Sequence, residues 1–171
     1  MSETEIKLQI GDIAPDFTTK VQNPDGSITD FDLHKFVKEG NKVLLVFYPG
    51  DDTPGCTAQL CGIRDIYKEY QDLGITVLGV NPAKAESHLK FIKKYNYQFG
   101  IIEDTQKTIK ENLETEKTVR EKYQAEKLFF KHKTTKRGVF LVNEKAEILF
   151  IHWGQQNNQE ILDLVKNLDQ D

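Results

Sequence analysis

At 171 residues the chain fits one domain, spanning 1–171, whose core needs no disulfide or metal to hold it. Hydrophobic residues make up 38% and ten Phe and six Tyr supply large anchors, which excludes a disordered chain. A net charge of −4 argues against nucleic acid as a partner, and no apolar run approaches the ~20 residues of a membrane span, so no membrane partner is expected either.

The first residues, Met1–Glu5, are polar and acidic, which is not a secretory signal. The expected setting is a reducing cytoplasm. Asp16–Val21 and Ile28–Phe31 read as short strands, and Asn23-Pro24-Asp25-Gly26 between them is a turn, giving an N-terminal β-hairpin. Asp32 caps a short helix through Leu33, Phe36 and Val37 that Gly40 ends. Lys42–Tyr48 is almost continuously apolar and reads as a strand covered on both faces.

Cys56–Gln71 has Leu60, Ile63, Tyr67 and Tyr70 at helical spacing, and Gly74 terminates it. Ile75–Val80 is a second buried strand. Ala83–Tyr95 predicts a helix with Leu89, Ile92 and Tyr95 on its apolar face, and Phe99–Ile102 a short strand. Glu103–Arg137 is rich in Lys and Glu, with apolar positions at Ile109, Leu113, Val119 and Tyr123. It predicts one or two exposed helices followed by a basic stretch, Lys127–Arg137, read as a solvated surface. Val139–Val142 is a third buried strand and Ile148–Trp153 an antiparallel neighbour. A last helix presents Ile161, Leu164, Val165 and Leu168. Strands alternating with helices predict an α/β fold, a central mixed sheet flanked by helices.

The chemistry concentrates at Phe47-Tyr48-Pro49-Gly50-Asp51-Asp52-Thr53-Pro54-Gly55-Cys56, between a buried strand and the start of a helix. In α/β sheets reactive groups gather at the carboxyl ends of strands, where helix N-termini point free N–H groups. A Cys in the first helical turn feels the positive end of the dipole, which favours the nucleophilic thiolate. Pro49 and Pro54 stiffen the loop, and the Thr53 hydroxyl lies over the same turn. Cys61 follows five residues later. By spacing alone the two cysteines are equally well two small buried hydrophobes.

Pro49-x-x-x-Thr53-x-x-Cys56 resembles the active-site motif of peroxiredoxins, and DDTPGCTAQLCGIRD is similar to the Q-type, or bacterioferritin-comigratory-protein, subfamily. GDIAPDF near the N-terminus and ESHLKFIKKY (Glu86–Tyr95) resemble that family's opening strand and a later helix. Arg137, ahead of Val139-Phe140-Leu141-Val142, resembles its second active-site Arg. Gly138-Val139 departs from the Ser/Thr-rich pair that often follows that Arg.

The resemblance implies a thioredoxin-like fold and a thiol peroxidase. Cys56 attacks a hydroperoxide substrate and becomes sulfenic acid. Thr53, Arg137 and the N–H groups of the helix start stabilise the developing charge, and Pro49 shields the sulfur. Cys61 resolves the sulfenic acid as a Cys56–Cys61 disulfide, and thioredoxin or a similar dithiol protein restores both thiols. An internal resolving Cys needs no second subunit, so a monomer is expected. Along an intact helix five residues separate Cα atoms by ~8–9 Å, beyond the ~7 Å a disulfide spans, so residues 55–62 must unwind on oxidation.

Two rivals remain open: a non-enzymatic redox sensor using the same Cys pair, and a general thiol–disulfide oxidoreductase, which the missing CxxC disfavours. No cofactor is expected. The four His are dispersed without ligand spacing, so no metal is expected.

Overall fold

A computed structural model describes residues 6–105, 117–155 and 157–168. The N-terminal hairpin forms as β1 (Thr18–Gln22) and β2 (Ile28–Asp32), antiparallel. The Asp32 side chain accepts from the Lys35 N–H and so starts α1 (Leu33–Lys38). β3 (Lys42–Phe47) follows, then α2 (Pro54–Asp65) and α3 (Tyr67–Asp72). Next come β4 (Ile75–Asn81), α4 (Ala85–Tyr95) and β5 (Gly100–Glu103). A short α5 (Val119–Lys122) leads into the hairpin β6 (Glu126–Phe129) and β7 (His132–Thr135). β8 (Gly138–Val142), β9 (Ile148–Trp153) and α6 (Asn158–Leu168) complete the order.

Seven strands make one mixed sheet in the order β2-β1-β5-β4-β3-β8-β9. β3, β4 and β5 run parallel, while β8, β9, β1 and β2 join antiparallel. Because side chains alternate along a strand, β3 feeds both faces. Leu44, Val46 and Tyr48 pack against α2, α3, α4 and α6 through Leu60, Ile63, Tyr70, Phe91, Ile92 and Leu162. Val43, Leu45 and Phe47 pack against α1 and α5 through Leu33, Val37, Val119 and Tyr123. A strand buried on both faces is why Lys42–Tyr48 reads as one apolar run.

Three expectations change in detail. The helix expected over Cys56–Gln71 is broken at Ile66, whose N–H bonds the Ile63 carbonyl at 3.1 Å in a tight turn. There the Arg64 carbonyl accepts from Gln98 Nε2 at 3.3 Å. On α4 the buried residues are His88, Phe91 and Ile92, with Leu89 and Tyr95 at the margin. On α6 Leu162 is buried and Leu164 is 50% exposed.

The region 103–137 differs most. Val119 and Tyr123 are core residues, and the basic stretch, solvated as expected, is largely an exposed β-hairpin. Asp104 starts α5 by accepting from the Val119 and Arg120 N–H groups and from Arg120 Nε, all within 3.0 Å. Ile109 and Leu113 lie outside the described residues.

Helix α6 meets α2 closely. A Cβ on Gly62 would sit 2.1 Å from Asn158 Nδ2, which donates to the Gln59 carbonyl at 3.0 Å. Gly62→Ala therefore forces Asn158 aside and breaks that bond, costing about 0.5–1.5 kcal/mol, while alanine returns about 1 kcal/mol of helix propensity. The expected melting temperature stays within about 3 °C of wild type by calorimetry. A fall beyond about 8 °C would show that Asn158 has no room to move.

Candidate active site

The sheet register assembles the site. Phe47, the last residue of β3, pairs with Gly138, the first of β8. The loop leaving β3 carries Pro49 to Thr53, and Arg137 immediately precedes β8, so both arrive at one end of adjacent strands. Pro54 opens α2 at its first position, where its missing N–H costs nothing. Cys56 is then the third helical residue, within the turn whose N–H groups have no intrahelical acceptor.

Cys56 is 1% exposed. Arg137 Nη2 donates to its sulfur at 3.2 Å, and Arg137 Nη1 donates to Gln59 Oε1. Cys56 and Gln59 are three residues apart on one helix face, so one planar guanidinium spans both. Gly55 lies beside the same guanidinium: a Cβ there would meet Arg137 Nη2 in ordinary contact at 3.4 Å. The guanidinium and the helix N-terminus both bring positive charge to the sulfur.

Gly138 has a steric cause. Its Cβ would fall 2.5 Å from the Trp153 ring, which lies over the backbone beside Arg137. Lys136 covers the same ring, its Nζ 4.1 Å from the ring centroid, so the strand start that presents Arg137 is pinned by an aromatic plate.

Thr53 stands at the N-cap, but its hydroxyl does not cap the helix. It donates to the Gly50 carbonyl at 3.1 Å, closing the loop on itself. Pro49 is exposed at the end of β3. The loop between them is held by α4. Asp51 accepts from the Tyr48 hydroxyl, the Ser87 hydroxyl and His88 Nδ1, each at 2.7 Å. Asp52, at φ 55°, accepts from Lys94 Nζ at 2.8 Å and from the Tyr95 hydroxyl at 2.7 Å. Burial pushes the Asp51 carboxyl up, but the bonds and charge of His88, with Tyr48 and Ser87, outweigh it and leave the group below its ordinary value.

Cys61 lies on the same continuous helix, half-buried, and both cysteines are free thiols. Its sulfur is 3.5 Å from the Tyr97 hydroxyl. Arg64 pairs with Asp65 at 3.1 Å and also donates to the Tyr95 carbonyl at 2.7 Å. The structure thus brings Cys56 and Arg137 together, places Thr53 and Pro49 on the adjoining loop, and sets Cys61 one and a half turns along α2. Sequence reasoning missed Gln59, Asp51, His88, Tyr97 and Asn158. Gln59 alone had a local signal, its i+3 position from Cys56.

Among the described residues no group of three or more His, Cys, Asp or Glu is placed to hold a metal ion. No helix among them is long and apolar enough to cross a membrane.

A profile of the AhpC/TSA family matches residues 10–151. The chain belongs to the AhpC/TSA family. Within that family it is 34% identical over 143 residues to a putative peroxiredoxin bcp of Coxiella burnetii, covering 84% of this chain and 87% of the relative. It is 40% identical over 105 residues to the chloroplastic peroxiredoxin Q of Triticum aestivum, covering 61% of this chain and 46% of that protein. The chain thus spans about half the length of this plant relative.

The fold matches the peroxidoxin BcpB of Mycobacterium tuberculosis with a TM-score of 0.75 at 21% identity, over 95% of this chain and 97% of that one. Peroxiredoxin Q of Xanthomonas campestris matches equally, at TM-score 0.75 and 18% identity, over 95% and 97%. The mixed sheet with flanking helices is therefore the expected thioredoxin-like fold. As a peroxiredoxin of the AhpC/TSA family, the protein is a thiol peroxidase and an enzyme.

Proposed function

We propose that the protein reduces hydrogen peroxide and organic hydroperoxides with Cys56 as nucleophile and Cys61 as resolving thiol, and that a thioredoxin-like dithiol restores it. The observation carrying this reading is the Arg137 guanidinium on the Cys56 sulfur at 3.2 Å, at the start of a helix. The organic substrates also draw support from a structural neighbour, the Xanthomonas campestris bacterioferritin comigratory protein, described by its alkyl peroxide reduction activity.

In the first step the thiolate sulfur attacks the outer oxygen of the hydroperoxide. The O–O bond breaks, alcohol or water leaves with a proton, and Cys56 becomes sulfenic acid. Charge builds on sulfur and on both oxygens. Arg137, bonded to the sulfur, and the Gly55 and Cys56 N–H groups, left without intrahelical acceptors in the first turn, stabilise that charge. The Thr53 hydroxyl can turn from the Gly50 carbonyl toward the incoming peroxide.

In the second step the Cys61 thiol loses its proton and attacks the sulfenic sulfur. The S–S bond forms, the S–O bond breaks, and hydroxide leaves with that proton as water. The external dithiol then exchanges with the disulfide and is itself oxidised. Because both cysteines lie on one helix of one chain, we assign this cycle to a monomer. A reducing compartment such as the cytoplasm supplies the dithiol.

The test is stopped-flow reaction of reduced protein with one equivalent of hydroperoxide, followed by intact mass. Wild type is expected to react fast and lose two hydrogens. Cys56→Ser is expected to be inert, and Cys61→Ser to stop at the sulfenic acid or a higher oxide. If Cys56→Ser reacts as fast as wild type, or if oxidation is slow, the peroxidase assignment fails and a redox sensor takes its place.

A further inference from the structure

Helix α2 is held at three levels. Arg137 holds Cys56 and Gln59, and Asn158 holds the Gln59 carbonyl. The segment after α4 holds the far end: Arg64 donates to the Tyr95 carbonyl, Gln98 donates to the Arg64 carbonyl, and Tyr97 meets Cys61. Of the contacts at this far end, that of Tyr97 alone falls on a sulfur, that of Cys61.

Tyr97 is 3% exposed. Its ring is stacked on Phe99 at 5.1 Å and on Tyr95 at 5.9 Å, with Phe91 edge-on at 5.1 Å. Phenylalanine would fill this aromatic cluster equally well. A buried hydroxyl is costly unless it is bonded. Among the described residues the only partner of this one is the Cys61 sulfur, at 3.5 Å.

We propose that Tyr97 is the positioning residue for Cys61: its hydroxyl binds the thiol in the folded helix and has to release it before the Cys56–Cys61 bond closes, which slows resolution. This rests on the assignment of Cys61 as the resolving thiol. Helical geometry separates the two Cα atoms by ~8–9 Å, and a disulfide needs less than about 7 Å. Cys61 must therefore leave its place, while Arg64, three residues on, keeps its backbone anchors. Burial, followed by the bond to Cys61, pushes the Tyr97 hydroxyl up, so it stays protonated and able to donate at neutral pH.

The contact exists in the folded dithiol and is absent from the disulfide. Removing it favours both the unwinding and the product, by the factor of about 2–10 that one net hydrogen bond supplies. Tyr97→Phe keeps the ring. In stopped flow its peroxide phase is expected to match wild type, while its disulfide-forming phase is about 2–10-fold faster. The disulfide potential, read against a dithiol couple, moves about 10–30 mV more negative. Amide exchange in the reduced variant quickens across 57–61 and not in α4 or α6. Tyr67→Phe, in the same cluster without the cysteine contact, is expected to behave as wild type in both phases.

An unchanged or slower second phase in Tyr97→Phe, an unchanged potential, or faster exchange throughout the molecule would overturn the proposal. If wild-type protein fails to lose two hydrogens on oxidation, the assignment of Cys61 falls with it. If wild type does lose them and Tyr97→Phe matches wild type, only the role of Tyr97 falls.

Discussion

Arg137→Met is expected to slow the peroxide phase by about 10²–10³, the loss typical of removing one preorganised donor from a developing charge. The guanidinium is bonded to the reacting sulfur at 3.2 Å and to Gln59 on the other side, so it is held in place before substrate arrives. Methionine keeps much of the volume and removes the charge. Arg137→Lys is expected to recover only part of the rate, because a single ammonium cannot reach Cys56 and Gln59 together in the planar geometry that the guanidinium spans. The measurement is the second-order constant of the first stopped-flow phase, with unchanged circular dichroism as the check on folding. A fall of less than fivefold for methionine would mean that the helix N-terminus alone stabilises the charge.

Asp51→Ala is expected to lower stability by about 3 kcal/mol, or about 6–12 °C in melting temperature for a chain of this size. Asp51 is 7% exposed and takes three hydrogen bonds, from Tyr48, Ser87 and the fully buried His88. Alanine leaves the buried Tyr48 and His88 donors unsatisfied. Asp51→Asn keeps one carbonyl oxygen and is expected to cost less.

The pH dependence follows in sign. The folded protein holds this carboxyl below its ordinary 3.8, so its contribution is complete above about pH 4 and is lost as pH falls through the folded value. The gap between wild type and Asp51→Asn should therefore narrow in melts taken below pH 4. A gap that stays constant down to pH 2 would contradict the assignment.

The sequence carried the local part of this site apart from the contacts of Asp51 and Gln59. Pro49, Thr53, Cys56 and Cys61 lie within thirteen residues, and the strand–loop–helix pattern around them is read from one apolar run and one helical spacing. What lay across the fold was less legible. Arg137 came only through a resemblance, because nothing local ties it to a residue 81 positions earlier.

On α4 apolar spacing pointed to Leu89 and Tyr95, but His88 is buried because a carboxylate from another element meets it. The hairpin β6–β7 was hidden for a different reason. Its turn places Phe130 and Lys131 in the left-handed region, at φ 50° and 67°, without the Gly or Asn that marks such turns. Its strands carry lysines that read as a solvated face.

The pairing of Phe47 with Gly138 also bears on the birth of the molecule. Ribosomal synthesis delivers Cys56 long before Arg137 exists, since the two are 81 residues apart. Until β8 inserts beside β3, the cysteine has neither its guanidinium nor its Gln59 clamp. The cation that meets the Cys56 sulfur thus arrives only with the last strands to be made.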